Sequence, residues 1–295
     1  MHPEVSILTR TRARVTLLKR AGQSILAQTA PNIEWVVVND GGDPNEVEAM
    51  VESVRNGAVE ISVVHHDTSV GRTAAANAAI EASSAPLLLF LDDDDTLDPG
   101  CAAALKKALD AHASCVGAVG ASTQICEKMD GGIYKETERR SLFEPSLPLT
   151  IVDVAYRNST PNNTLMFRRA AANEINGFNE TLDLLEDWDF LLRLLLIGDV
   201  CAAPNARSFY HVRPEVKGEA ANTQASDLKE ADVYLRNAYL REDIARGRFG
   251  LGVLTNVRDP LTSDRLVRFL EMASTLNAPL RFLRRSFRPG KVDER

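Results

Sequence analysis

Residues 86–95 read PLLLFLDDDD: an apolar run of strand length passes straight into four carboxylates, Asp92 to Asp95. A short apolar run bounded by turn signals is the pattern of a fully buried strand. Asp98-Pro99-Gly100 closes it with turn chemistry. Four adjacent Asp side chains repel one another, and strands disfavour Asp, so a fold keeps such a cluster where something cationic sits. Hard oxygen ligands suit Mg²⁺ or Mn²⁺, and Mg²⁺ typically takes one or two carboxylates plus substrate phosphates. The stretch therefore predicts a metal–diphosphate site at the carboxyl end of a central strand, where open α/β sheets bind ligands. Taken alone it also fits a solvated acidic turn.

Outward from this run, strand and helix patterns alternate. Val5–Thr9 reads as a first strand, and Val15–Ala27 as a helix with Leu17, Leu18, Ala21, Ile25 and Leu26 at helical spacing. Ile33–Asn39 is a second buried strand, broken by Asp40-Gly41-Gly42-Asp43-Pro44. A helix over Glu46–Asn56, a strand over Val59–His65 and an Ala-rich helix over Ala74–Ser83 lead back to the PLLLFL strand. Such alternation implies βαβ units and a parallel sheet, and right-handed crossovers place the carboxyl ends on one rim. Thr9, Asp40 and Asp92 all fall at such ends, so three polar groups are expected around one pocket. Residues 124–159 are less regular and read as either a mobile loop over the site or a surface excursion. Asn163–Arg168 looks like another strand, and Asp189–Ile197 like an apolar helix with Glu186-Asp187 at its start. From Asp227 the pattern is helical and charged, then basic, which sets a boundary near residue 220.

The 295 residues suffice for one large or two small domains. With 34 basic and 41 acidic residues the net charge is −7, which argues against a general nucleic-acid binder. Cys101, Cys115, Cys126 and Cys201 show no CxxC spacing and read as buried or free thiols of a reducing compartment. No signal peptide is visible and no apolar run approaches the roughly 20 residues of a membrane span, so the expected location is cytoplasmic.

Five segments in order, VSILTRTR, VVVNDGG, GRTAAANAAIEAS, LDDDDTLDP and INGFNETLDLLEDWDFLLRL, resemble family-2 glycosyltransferases with the GT-A fold. The resemblance covers about residues 4–212. It implies a Rossmann-like, mostly parallel central sheet flanked by helices, a catalytic domain over 1–220 and a helical C-terminal extension over 221–295. The implied reaction is inverting, metal-dependent sugar transfer from a nucleotide-diphosphate donor, UDP-sugar favoured, to an acceptor hydroxyl. The sequence departs from the family at Leu8 (commonly Pro), Thr11 (commonly Asn) and Ala76 (commonly Arg), while Asn77 is kept. Arg72, four residues before Ala76, is placed to supply the missing positive charge.

By this resemblance Asp92 and Asp94 form the metal motif. Asp94, counted back from Pro99, is the favoured direct ligand, and Asp92 contacts ribose or a metal-bound water. Asp93 touches the ribose or donor sugar, and Asp95 serves as electrostatic ballast or a helix cap. Asp40 accepts the imide N–H of uracil, or else forms an Asx-type turn before Gly41. Thr9 offers backbone contacts to the base, and Arg12 and Arg72 meet phosphate or base. Asp187 is the general base that takes the acceptor proton. Glu186 binds acceptor or orders its loop, and Trp188 offers an apolar platform to a sugar ring. The bland reading of the same residues is an acidic helix start that complements the macrodipole, with Trp188 in the core. His211 is a candidate third metal ligand, whereas His65 and His66 are not expected to ligate.

Near the C-terminus Leu280, Leu283 and Phe287 share a helical face with Arg281, Arg284, Arg285 and Arg288 beside it. That pattern fits either a docked helix or peripheral contact with the inner face of a membrane, the latter suiting a lipid-linked acceptor. A sugar-phosphate nucleotidyltransferase would open on a Gly-rich loop, which VSILTRTRAR lacks. A processive synthase would carry membrane spans and a QxxRW motif, and Trp35 and Trp188 each follow an acidic residue instead. The alternative from another class is a non-catalytic sugar-nucleotide-binding or scaffold module.

Overall fold

The computed structural model describes residues 2–256 apart from 132, 217, 219–221, 223 and 224. The basic segment at 279–295 lies outside the described residues. Four parallel strands form one half of the sheet: β1 (Val5–Thr11), β2 (Ile33–Asp40), β3 (Glu60–His66) and β4 (Leu87–Phe90), in the order β3-β2-β1-β4. Every residue of β1, β2 and β4 is buried, as expected for strands covered on both faces. Helices α1 (Val15–Leu26), α2 (Pro44–Val54) and α3 (Arg72–Ala82) make the crossovers. Asp43 caps α2 by accepting from the backbone N–H of Asn45, and Pro44 fills the first helical position. Helix α1 lies close on β2, because a Cβ at Gly22 would come within 2.5 Å of the Trp35 ring.

Beyond β4 the sheet is mixed. It continues through β8 (Leu165–Arg168), β6 (Gly117–Asp130), β9 (Val200–Val212) and the short β5 (Thr96–Leu97). The long β6 runs parallel to β9 and antiparallel to β8, and its second half pairs with β7 (Ile133–Phe143). The architecture is a mixed α/β fold with a central sheet flanked by helices, parallel in the half that ends at the site.

The region over 124–159 is not irregular: most of it is the β6–β7 hairpin, followed by α5 (Ile151–Tyr156). Strand β7 is exposed along nearly its whole length, so it carries no apolar alternation that could mark it in sequence. Helix α4 (Cys101–Ala111) also went unmarked, although Cys101, Ala102, Leu105 and Leu109 form its buried stripe.

Helix α6 (Arg169–Glu174) leads toward α7 (Glu186–Ile197). Phe90, Phe167, Phe178 and Phe190 lock α7 against β4 and β8, with Phe178 and Phe190 stacked at 4.2 Å. The start of α7 is thereby held at the strand-end rim.

The chain divides into two compact units, one comprising residues up to 154 with 158–232 and the other 155–157 with the chain from 233. Helices α8 (Ala225–Arg246) and α9 (Leu251–Asn256) complete the described residues. In the second unit Arg236 is buried and donates to the carbonyls of Ala155 and Thr255. All four cysteines are free. Among the described residues no helix is long and apolar enough to cross a membrane.

Candidate active site

A cavity of about 450 Å³ opens at the carboxyl rim of the parallel strands. Arg10, Thr11, Arg12 and Arg14 enter it from the end of β1, Asp40 from β2, Arg72 from α3, and Asp92 and Asp94 from the turn after β4. Strand β1 runs to Thr11, two residues past the expected end, and this moves Thr9 off the rim. Thr9 is fully buried and its hydroxyl accepts from the Trp35 indole N–H at 3.0 Å, so Thr11 holds the rim position expected of it.

The four aspartates occupy one turn but have four different surroundings. Arg10 pairs with Asp92 at 3.3 Å, and on its other side with Glu186 at 2.7 Å. Burial would raise Asp92, but Arg10, then Arg72 and Arg14, hold its carboxyl below the usual range. Asp93 is wholly buried, takes the Thr11 hydroxyl at 2.6 Å, and pairs with Arg14 at 2.5 Å. Burial nonetheless pushes it up to about 7, with Arg14 opposing and Asp94 reinforcing. Asp94 pairs with Arg213 and with Arg14. Asp95 is neither ballast nor a helix cap. It is a buried crosslink that accepts the backbone N–H of His211 at 3.0 Å and the side-chain amide of Asn163 at 2.7 Å. Burial first, then Asp94, raises its carboxyl well above the usual range.

Asp40 organises the neighbouring loop. It accepts from the Ser69 hydroxyl at 2.6 Å and the backbone N–H groups of Val70 and Gly71 at 2.8 and 3.2 Å, and it meets the His66 ring at 3.1 Å. The Asp-Gly-Gly run fits this packing: Gly41 has φ of 82°, and a Cβ there would fall 2.6 Å from the Ser69 nitrogen. Arg12 is exposed to the cavity with no side-chain partner among the described residues. Arg72 pairs with Glu186 at 3.1 Å. Ala76 is fully buried, with no room for the arginine common there, and Asn77 ties α3 to Phe178 and Glu180.

At the start of α7 the preceding residue, Leu185, adopts a left-handed conformation with φ of 63°. Ala13, between Arg12 and Arg14, does the same at 52°. Neither residue type favours that region; Ala13 lies between two arginines that line the cavity, and Leu185 precedes Glu186, which bridges Arg10 and Arg72. Glu186 is buried and bridges Arg10 and Arg72. Asp187 is half-buried and accepts the backbone N–H of Trp188 at 2.7 Å. Burial first, and Glu186 second, push its carboxyl up to about 6. Trp188 is not a platform: it is 1% exposed and donates to the Val154 carbonyl at 2.7 Å.

His211, the candidate third metal ligand, is held within the protein. Its Nδ1 meets Glu127 at 2.9 Å and its Nε2 meets Thr96 at 2.9 Å, so both ring nitrogens are engaged. His65 and His66 pair with Glu48 and Asp40.

The sequence pattern of the family described as Glycosyl transferase family 2 matches residues 6–171, more than half the chain. The chain belongs to glycosyl transferase family 2. It is similar to the succinoglycan biosynthesis protein ExoO of Rhizobium meliloti, 26% identical over 244 residues that cover 81% of this chain and 68% of ExoO. Among solved structures, S. aureus TarS 1-349 in complex with UDP-GlcNAc superposes with a TM-score of 0.58 at 19% identity, covering 80% of this chain and 66% of that one. The mannosyltransferase PcManGT of Pyrobaculum calidifontis, solved with GDP-Man and Mn²⁺, gives 0.53 at 14% identity over 96% of this chain and 83% of its own. The chain thus spans just under two thirds of the TarS fragment, and these two likenesses establish the fold.

The residues of this glycosyltransferase fit a cation in a particular way. Among the described residues no group of three His, Cys, Asp or Glu side chains is arranged to hold a metal ion. Yet Asp92 and Asp94 line the same cavity, and Asp92 Oδ2 and Asp94 Oδ1 accept no hydrogen bond among the described residues. Two carboxylate oxygens completed by donor phosphates match the usual habit of Mg²⁺.

Several site residues escaped the sequence reading. Arg14, Arg20, Glu127 and Arg213 surround the aspartates, and Tyr210 lines the cavity. Burial, then Asp95 and Asp94, raise the Tyr210 phenol, which stays protonated as a donor. Arginines three and nine residues after Thr11 carried a signal, since a basic run beside a strand end suits a phosphate. Glu127 and Arg213 had none, because long-range strand pairing brings them in.

Proposed function

We propose that the protein is an inverting glycosyltransferase that moves a sugar from a nucleoside diphosphate sugar to an acceptor hydroxyl in polysaccharide or glycoconjugate assembly. The observation that carries this reading is the meeting, in one cavity, of two carboxylates with spare oxygens and a set of arginines, one of which, Arg72, also acts on Asp187 at the start of α7. Asp92 and Asp94 would hold a divalent cation, whose chemistry there is Lewis-acid neutralisation of the leaving diphosphate. Arg12 and Arg72 bind its phosphates, and Arg10 fixes Asp92 relative to α7. Asp187 takes the acceptor proton as the oxygen attacks the anomeric carbon, and a carboxylate of pKa about 6 is well matched to that task. Glu186 is tied to Arg10 and Arg72, so it orders the helix start.

A uridine donor is favoured by Asp40. A uracil imide N–H would enter by replacing the His66 ring, the one donor on Asp40 that comes from outside the 69–71 loop. The mannosyltransferase likeness was solved with GDP-Man and the TarS likeness with UDP-GlcNAc, so both bases belong in the test. Thermal shifts with UDP, GDP, dTDP and CMP, each with and without Mn²⁺, decide it, because a ligand that binds the folded state raises apparent stability. Stabilisation by UDP that requires Mn²⁺ supports the whole reading. Stabilisation by GDP alone removes the uridine assignment. No shift with any nucleotide favours a non-catalytic role.

A further inference from the structure

Arg213, immediately after β9, stands between two carboxylates. One nitrogen, Nη2, is ion-paired with Asp94, and Nη1 lies 3.9 Å from Oε2 of Glu127. The Arg213 side chain is 0% exposed. Glu127 comes from the second half of β6, where that strand pairs with β7, and is 6% exposed. Its Oε1 is taken by Arg20 at 2.6 Å and His211 at 2.9 Å, while Oε2 is buried and has no hydrogen-bond partner. Arg20 completes a ring by donating to the Asp94 backbone carbonyl at 2.6 Å. Tyr134 of β7 presents its ring to both guanidiniums, 5.9 Å from Arg20 and 5.8 Å from Arg213. Asp94 belongs to the cavity lining, and Glu127 does not.

We propose that Arg213 is a charge latch: it covers Asp94 while no donor is bound, and moves onto Glu127 when a cation and diphosphate claim Asp94. The idea rests on the reading of Asp94 as a cation ligand. A divalent ion on Oδ1 of Asp94 would set a second cation beside the guanidinium held on Oδ2, and like-charge repulsion then favours withdrawal of the arginine. A buried arginine withdraws cheaply only toward another buried carboxylate. Glu127 offers an oxygen with no other hydrogen bond, a short shift away, and the Tyr134 ring face remains under the guanidinium at either end. Glu127 is in this view a positioning residue, which acts through Arg213 without touching substrate.

The test is the affinity for Mn²⁺, alone and with UDP, measured by calorimetry on the full chain. Arg213→Gln should bind Mn²⁺ alone roughly fivefold tighter, and Glu127→Gln roughly fivefold weaker, the size of coupling seen between contacting residues. In the Arg213→Gln background, Glu127→Gln should then change Mn²⁺ affinity little. If Glu127→Gln does not fold, Glu127→Asp, which keeps the charge and withdraws the oxygen, replaces it with the same expected sign. Strictly additive effects of the two substitutions, or an Arg213→Gln variant with wild-type affinity, would overturn the latch while leaving the cation site intact. Wild-type protein that binds no Mn²⁺ with or without UDP would overturn both.

Discussion

Glu34 and Asp92 lie at opposite ends of the strands that flank β1, and their surroundings differ in kind. Glu34 is ringed by neutral donors: the Ser6 and Ser84 hydroxyls and the backbone N–H groups of Ser84 and Ala85. Burial works against its charge, but those hydrogen bonds win and its carboxyl lies below the usual range. At the other end the partners are arginines, two oxygens are left without donors, and neighbouring carboxyls are pushed to about 7 at Asp93 and about 6 at Asp187. A saturated carboxylate holds a fold together. An unevenly satisfied set, costly to keep, stays ready for a ligand.

The largest effect expected from breaking this contrast is at Asp187. Asp187→Asn removes the base and should lower kcat by about 10³-fold, within the range for general-base catalysis, with UDP affinity unchanged. The same variant should be more stable. Asp187 has a folded pKa of about 6, above the roughly 3.9 of an unfolded Asp. The folded state therefore binds the proton more tightly, and stability drains away as pH rises from about 4 to 6. At pH 8 the asparagine should gain about 1–2 kcal/mol, and at pH 4 almost nothing. Melting curves at the two pH values, set beside the rates, check both halves. A variant as active as wild type removes Asp187 from the chemistry.

Glu34→Gln should do the opposite. It loses the charge that four hydrogen bonds stabilise and presents a donor where only acceptors fit, costing about 2 kcal/mol of stability. Turnover of the folded fraction should stay at the wild-type value. Denaturant midpoints and specific activity measured on one preparation separate the two, and a drop in activity with no drop in midpoint would break the contrast.

This division also marks what the sequence could show. The apolar runs of β1, β2 and β4 are continuous because both faces are covered, so their order and the rim at their ends were legible. So was the placing of Asp40, Asp92, Asp94 and Asp187, since each follows or begins an element with a clear pattern. Thr9 and Trp188 were misplaced for local reasons: a strand two residues longer, and an indole with a carbonyl to bind in the core. Arg213, Glu127 and the β7 strand were invisible, because pairing across 84 positions of chain brings Glu127 to His211 and no local period records it.

The pH dependence sharpens the comparison further. Asp187 must be ionised to act, so kcat should fall below a limb near pH 6 and be level above it. The Arg72 charge favours the ionised form, so Arg72→Met should move the limb upward by about half a unit to one unit. A limb that stays put in Arg72→Met means that the two groups are not coupled during turnover.

The smallest expected effect is at Arg12, which lines the cavity without a partner among the described residues. Arg10 and Arg14 are spoken for by Asp92, Glu186, Asp93 and Asp94, so removing Arg10 would unpair Asp92 and removing Arg14 would unpair the buried Asp93. Among the described residues Arg12 compensates no carboxylate, and its charge is available to a diphosphate. Arg12→Gln should leave the melting temperature within the usual scatter of surface substitutions, about 0.5 kcal/mol. It should raise the donor KM by about 3–10-fold with kcat unchanged, the signature of a contact made equally in ground and transition states. An equal fall in kcat would instead place Arg12 on the leaving group as charge develops, and so among the groups that act in the chemical step.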